Sequence, residues 1–308
     1  MPRRLQGVLP IFHTPFLDND DIDEASLRRE VDWIFAVGAD GLGTGMVSEL
    51  LRLTIDERKK LSELLVTAAA GRGPVFAGVG AESTRQAVEL SIAAEKAGCD
   101  AVMAVPPMTV RLSAAGLTDY FRALAESVAV PVIVQDASGY VGQAIPLSVY
   151  VELLERYGDE KILFKPEASP IGPNLSALRD ATGGKAKIYE GSGGILLVDS
   201  YRRGIAGTMP GVDLLDGVVA LWKCLQRRDD PNSYRLSFPI SAIVALQLQA
   251  GLDGFLAIEK YLLVQRGLIP SARRRKPYAW DLDAETTAEV DRLFAVLQEA
   301  LRAERTGM

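Results

Sequence analysis

Eight short apolar runs punctuate the first two thirds of the chain, at residues 7–12, 40–44, 75–79, 101–105, 132–135, 161–165, 186–190 and 206–209. Each is apolar on both faces, the pattern of a strand in a parallel sheet covered from both sides. Between the runs the period changes. Leu27, Val31, Ile34 and Phe35 recur at three-to-four-residue spacing and predict a helix over 24–37. Further helices are predicted over 54–70, 83–97 and 113–128. Thr54-Ile55-Asp56-Glu57 has the capping-box arrangement at the start of the first of these, and Ser83 and Ser113 open the other two. Val37-Gly38-Ala39-Asp40 and Ala97-Gly98-Cys99-Asp100 are near-repeats, each with a glycine suited to a left-handed helix end just before a strand.

Eight strands, each followed by a helix, predict an α/β fold of the (β/α)8 barrel type rather than an open sheet. The eighth helix is expected to end near residue 226. This divides the chain into a barrel over 1–226 and a C-terminal helical extension over 227–308. Arg228-Asp229-Asp230-Pro231-Asn232 breaks the chain, and helical patterns follow at about 233–250, 253–267 and 284–304. The basic run Arg273-Arg274-Arg275-Lys276 between the last two reads as a solvated loop.

Composition narrows the chemistry. In 308 residues, 34 Lys and Arg against 40 Asp and Glu give a net charge of −6, a poor balance for nucleic acid or an anionic membrane. Two cysteines, Cys99 and Cys224, cannot build a disulfide framework and are expected as buried thiols in a reducing compartment. A single histidine, His13, excludes multi-histidine metal sites and argues against a histidine-based triad. No metal and no cofactor is expected. No run approaches the roughly 20 apolar residues of a membrane span, and the N-terminus lacks a signal-peptide core, so the chain reads as soluble and cytoplasmic.

A barrel of this type carries its chemistry at the C-terminal ends of its strands. The polar residues there are Thr44, Gln135, Asp136, Lys165, Glu167, Glu190 and Thr208. Lys165 closes Ile162-Leu163-Phe164, and an amine drawn out of water at a barrel mouth is a usable nucleophile toward a carbonyl. A strand-capping lysine in solvent is the alternative. Glu167 lies two residues on and points the same way along an extended segment, as a proton carrier or as a plain ion-pair partner. Gln135 can orient water or a substrate oxygen but is neither acid nor base, and Asp136 can act as either or hold a loop. The turn Gly43-Thr44-Gly45-Met46-Val47-Ser48-Glu49 offers backbone N–H groups and a hydroxyl to an anion. Gly191-Ser192-Gly193-Gly194 reads as a phosphate loop or, more simply, as a tight strand-to-helix turn. His13 reads as structural.

These residues together resemble the dihydrodipicolinate synthase and N-acetylneuraminate lyase family of class I Schiff-base lyases. The resemblance runs from Gly7-Val8 to the C-terminal helices. It is carried by Thr14-Pro15-Phe16, Ser48-Glu49, Leu53-Thr54-Ile55-Asp56-Glu57-Arg58, Pro106-Pro107, Pro131-Val132-Ile133-Val134, Phe164-Lys165 and Gly204-Ile205-Ala206-Gly207. It implies a barrel with a helical extension, a homotetramer, a small 2-keto acid as substrate, and Lys165 as the imine-forming residue. The chain departs from the family where a proton-relaying tyrosine gives way to Gln135, and where two hydroxyl residues that grip the keto-acid carboxylate give way to Met46 and Val47. The arginine that meets the second carboxylate of the dihydrodipicolinate synthase substrate has no equivalent here, and Tyr140 lies near that position.

Val134-Gln135-Asp136-Ala137, Phe164-Lys165-Pro166-Glu167 and Glu190-Gly191 resemble instead the branch that dehydrates L-2-keto-3-deoxyarabonate to 2-oxoglutarate semialdehyde. The resemblance then implies Lys165, Gln135 and Glu167 as catalytic residues, with Gly45, Met46, Val47, Ser48, Asp136, Glu190, Gly207 and Thr208 around the substrate. A pyruvate-releasing aldolase, a dihydrodipicolinate synthase-like enzyme and a non-catalytic keto-acid-binding protein are the competing expectations.

Overall fold

The computed structural model describes residues 3–306. Eight strands occur among them: β1 (Gly7–Val8), β2 (Leu42–Gly43), β3 (Val75–Gly78), β4 (Ala101–Ala104), β5 (Val132–Asp136), β6 (Ile162–Pro166), β7 (Tyr189–Glu190) and β8 (Gly207–Thr208). All strand pairings are parallel, in the orders β2-β3-β4-β5-β6 and β1-β8-β7. Parallel bridges Ile11 to Gly43 and Phe164 to Ile188 join the two sets and close the barrel. β1, β2, β7 and β8 are each only two residues long, shorter than the apolar runs that predict them.

The helices of the barrel wall are α1 (Glu24–Ala36), α2 (Ile55–Ala69), α3 (Thr84–Ala97), α4 (Ala114–Ser127), α5 (Leu147–Tyr157), α6 (Ile171–Ala181), α7 (Leu197–Arg202) and α8 (Leu215–Gln226). The Thr54–Glu57 capping box closes reciprocally at the start of α2, and Ser113 caps α4 through the Gly116 N–H. Ser83 stands at the predicted position before α3, but its side chain makes no capping bond. Gly38 and Gly98 both adopt positive φ, 95° and 97°. The aspartate two residues after each then ties two strands together. Asp40 accepts the Val8 N–H at 2.8 Å and Asp100 accepts the Val75 N–H at 3.0 Å.

Side-chain alternation sorts the core into two layers. Leu9, Ile11, Phe76, Met103, Ile133 and Leu163 fill the barrel interior. Val132, Val134, Ile162 and Phe164 face outward onto the helices. The same alternation, continued two residues past Ile133 and Leu163, places Gln135 and Lys165 on the inner face at the barrel mouth. The two are direct register partners across β5 and β6.

Beyond α8 the chain forms α9 (Asp230–Leu248), α10 (Gly251–Gln265) and α11 (Ala284–Thr306). The predicted break narrows to Arg228, with φ 58°, and Asp229, whose carboxylate accepts the Asn232 N–H and starts α9 three residues earlier than expected. The basic run corrects the expectation of a solvated loop. Arg274 is buried, its guanidinium stacked on Tyr278 and bonded to the Trp280 carbonyl. Arg275 forks onto the Glu57 carboxylate, with one bond of 2.6 Å, and stacks on Phe16. Four adjacent charges need not be solvated when the barrel rim supplies an acid and an aromatic face. Among the described residues, no helix is long and apolar enough to cross a membrane.

Candidate active site

Lys165 is buried at the barrel mouth, and its Nζ lies 3.5 Å from Glu167 Oε1. The other oxygen of Glu167 accepts a 2.6 Å hydrogen bond from Gln135 Nε2. The Tyr140 hydroxyl reaches the same oxygen at 3.5 Å. Burial raises the Glu167 carboxyl above its ordinary range, and nearby Glu190 adds to the effect. Lys165 and Gln135 pull the other way. A buried carboxyl shifted in this direction holds its proton more readily than one in water. Burial also pushes the Tyr140 phenol well above its ordinary value, and the Glu167 carboxylate pushes it further.

The pocket holding Lys165 and Glu167 is also lined by Met46, Val47, Tyr140, Gly191, Gly211, Phe255 and Glu259. Gly191 leaves room beside both side chains: a Cβ there would stand 2.2 Å from Lys165 Cε and 2.6 Å from Glu167 Oε1. Met46 and Val47 thus lie beside the lysine, whereas Gly45 and Gln135 line a smaller adjoining hollow.

The other expected site residues lie one step behind. Ser48 is fully buried. Its hydroxyl donates to the Phe12 carbonyl and accepts the Gly45 N–H at 3.1 Å, so it holds the turn rather than facing the pocket. Asp136 accepts the N–H groups of Ser138 and Ile145, at 2.9 and 2.7 Å, and so ties down the loop that carries Tyr140. Glu190 accepts the Ser192 N–H and the Thr208 hydroxyl, each at 2.7 Å. It locks the Gly191–Gly194 turn, which connects β7 to α7. Gly207 lies against the Gly7 backbone in the β1–β8 pair.

Sequence reasoning missed the residues brought by the extension. Leu252, Phe255 and Glu259 project from one face of α10 into the pocket. Glu259 Oε2 is 2.7 Å from Nε2 of His13, which is completely buried. Burial acts to lower the His13 pKa, but Glu259 and Glu30 outweigh it and hold the imidazole at about 10. A signal for this was present: Glu259 and Lys260 are the only charges in Gly254–Val264, an otherwise apolar stretch. Lys260 serves the turn after β2. It pairs with Glu49 and donates to the Thr14 carbonyl at 2.8 Å. The Arg275 N–H binds the other Glu49 oxygen at 2.8 Å.

A closed parallel barrel with a buried lysine and a buried glutamate at the C-terminal end of its sixth strand defines a class of barrel lyase. Residues 4–166 match the model of the dihydrodipicolinate synthetase family, and the chain belongs to that family. The L-2-keto-3-deoxyarabonate dehydratase of Azospirillum brasilense is 29% identical over 296 residues, 93% of each chain. The 4-hydroxy-tetrahydrodipicolinate synthase of Agrobacterium fabrum is 38% identical over 130 residues, which span 42% of this chain and 44% of that one, less than half of either. The crystal structure of dihydrodipicolinate synthase from Rhodopseudomonas palustris superposes with a TM-score of 0.85 at 27% identity, covering 95% of this chain and 98% of that one.

Proposed function

We propose that this protein is a Schiff-base-forming hydro-lyase that dehydrates a 2-keto-3-deoxy sugar acid, of the L-2-keto-3-deoxyarabonate type, to a semialdehyde. The observation that carries the reading is the buried Lys165–Glu167–Gln135 group, with Gln135 where the family has its tyrosine. The full-length similarity to the Azospirillum brasilense dehydratase supports it.

In this reading the Lys165 amine adds to the C2 ketone and expels water, giving an iminium that acidifies C3. Glu167 removes a C3 proton. The resulting enamine pushes out the C4 hydroxyl, which leaves as water with a proton returned from the same carboxyl. Glu167, again a carboxylate, takes a C5 proton to give a dienamine whose C4–C5 end is an enol, and returns that proton to C3, which restores the iminium. Hydrolysis of the imine frees Lys165, and tautomerisation gives the aldehyde. No carbon–carbon bond breaks, so the reaction needs no tyrosine relay of the aldolase kind. Gln135 keeps Glu167 oriented toward C3. The backbone N–H groups of Met46 and Val47 hold the substrate carboxylate in place of the family's hydroxyls. No cofactor takes part. The homotetramer and the cytoplasmic location belong to this reading and rest on the family resemblance.

Borohydride trapping with 2-keto-3-deoxypentonate, followed by peptide mass spectrometry and product analysis, tests the proposal. The expected result is an adduct on Lys165 and a semialdehyde product. Pyruvate as product would assign the aldolase reaction instead. Binding without any adduct would assign a non-catalytic keto-acid binder.

A further inference from the structure

The extension delivers one charged side chain to the pocket, and the proposed chemistry does not use it. Glu259 on α10 is buried, with its side chain 3% exposed. Its position is fixed from behind: Oε2 meets His13 Nε2 at 2.7 Å, and the His13 backbone N–H is itself bonded to Glu30 at 3.0 Å. Among the described residues, its Oε1 makes no hydrogen bond. That oxygen lies against Gly211, where a Cβ would come within 2.5 Å of it, so the bare backbone at 211 lets the carboxylate reach the pocket wall.

The charge balance of the pocket is lopsided. Lys165 is the one cation among the described residues that line it, and Glu167 and Glu259 are both acids. A ketone that condenses with Lys165 brings its own carboxylate. A second carboxylate on the far end of the substrate would meet Oε1 of Glu259, which His13 pairs only from behind through Oε2, so two carboxylate oxygens would face each other with no donor between them. A hydroxyl at the same place would donate to Oε1 in a charge-assisted bond.

We propose that Glu259, braced by His13, determines substrate specificity by accepting a hydrogen bond from a distal hydroxyl of the keto acid and by repelling keto acids that carry a second carboxylate. This rests on the keto-acid reading given above and narrows its substrate class to monocarboxylic, hydroxylated keto acids. Discrimination of this kind is large, because a buried acceptor left without its donor is penalised.

The test uses three keto acids on the full-length protein: pyruvate, with no tail; 2-keto-3-deoxypentonate, with hydroxyls; and 2-oxoglutarate, with a second carboxylate. Glu259→Gln keeps the side-chain size and an oxygen that can accept from His13. Its expected effect is a loss of about 10- to 100-fold in kcat/KM for the hydroxylated acid, with borohydride trapping of pyruvate within about twofold of wild type. Trapping of 2-oxoglutarate relative to pyruvate is expected to rise about tenfold or more as the repulsion is relieved. Gly211→Ala, whose Cβ pushes Oε1 from the other side, should move the first ratio in the same direction and guards against a folding defect in the first variant. Equal losses with all three acids, or unchanged ratios in both variants, would overturn the specificity role while leaving the imine chemistry standing. Absence of any adduct in the wild-type protein would overturn the keto-acid reading and the specificity together.

Discussion

Gln135 donates to Glu167 across 2.6 Å, from the strand position directly opposite Lys165. The amide fixes one carboxylate oxygen while the other faces the amine. Removing either member separates orientation from proton transfer. Glu167→Gln should still form the imine but turn over about 100- to 10,000-fold more slowly, the usual worth of a positioned acid/base. Gln135→Ala should also retain the adduct, with a smaller fall in kcat. Adduct mass and single-turnover rates check both, and wild-type turnover in Glu167→Gln would remove that residue from the chemistry.

Gly191 lies against both reacting side chains, and its φ lies outside the positive region, so alanine is conformationally acceptable there. Gly191→Ala should therefore fold normally yet lose keto-acid trapping, because the methyl group takes the space beside Lys165 and Glu167. Circular dichroism and trapping, measured on the same preparation, check this. Full trapping would show that the substrate approaches from another side.

His13 is the sole histidine, so its imidazole resonances need no assignment by mutation. Its pKa is raised from 6.5 to about 10 by Glu259 and Glu30 against the pull of burial. A raised value means that the pair stabilises the fold fully below pH 6.5 and that this contribution fades as the pH rises through about 10. Heteronuclear NMR should show no titration between pH 6 and 8, and urea midpoints should fall between pH 8 and 10.5. A titration near 6.5 would dissolve the ion pair.

Arg275 holds the Glu57 carboxyl down at about 2, against the effect of burial. A depressed value means that the bridge stabilises above pH 4.5 and is lost as the pH falls toward 2. Arg275→Ala should cost about 1.5–3 kcal/mol at pH 7, the range for hydrogen bonds to a charged group, and less at pH 3. Urea unfolding at the two pH values measures the difference. An equal cost at both would assign the loss to the stacking on Phe16 alone.

Much of the barrel was legible in the sequence because its signals are local. Short runs apolar on both faces marked all eight strands, and the polar residues that close two of them, Gln135 and Lys165, prove to be register partners on the inner face. The Gly38 and Gly98 near-repeats announced two helix ends. What escaped was non-local. Ser48 offers a hydroxyl to an anion in sequence, but Phe12, 36 residues away, claims it in the fold. Glu259 meets His13 across 246 residues, and Arg275 meets Glu57 across 218. No periodicity encodes such partners, although a lone pair of charges in the apolar stretch around 259 and 260 was a usable hint.

Leu252, Phe255 and Glu259 bring the helical extension to the pocket, whereas Ile11, which lines it too, follows soon after the first strand. Chains emerge from the ribosome N-terminal end first. A nascent barrel can therefore close its strands and present Lys165 while its mouth still lacks a lid and its lone histidine still lacks a counter-ion. The pocket is finished only when α10 docks, so a competent site waits on a helix that is made after all eight strands.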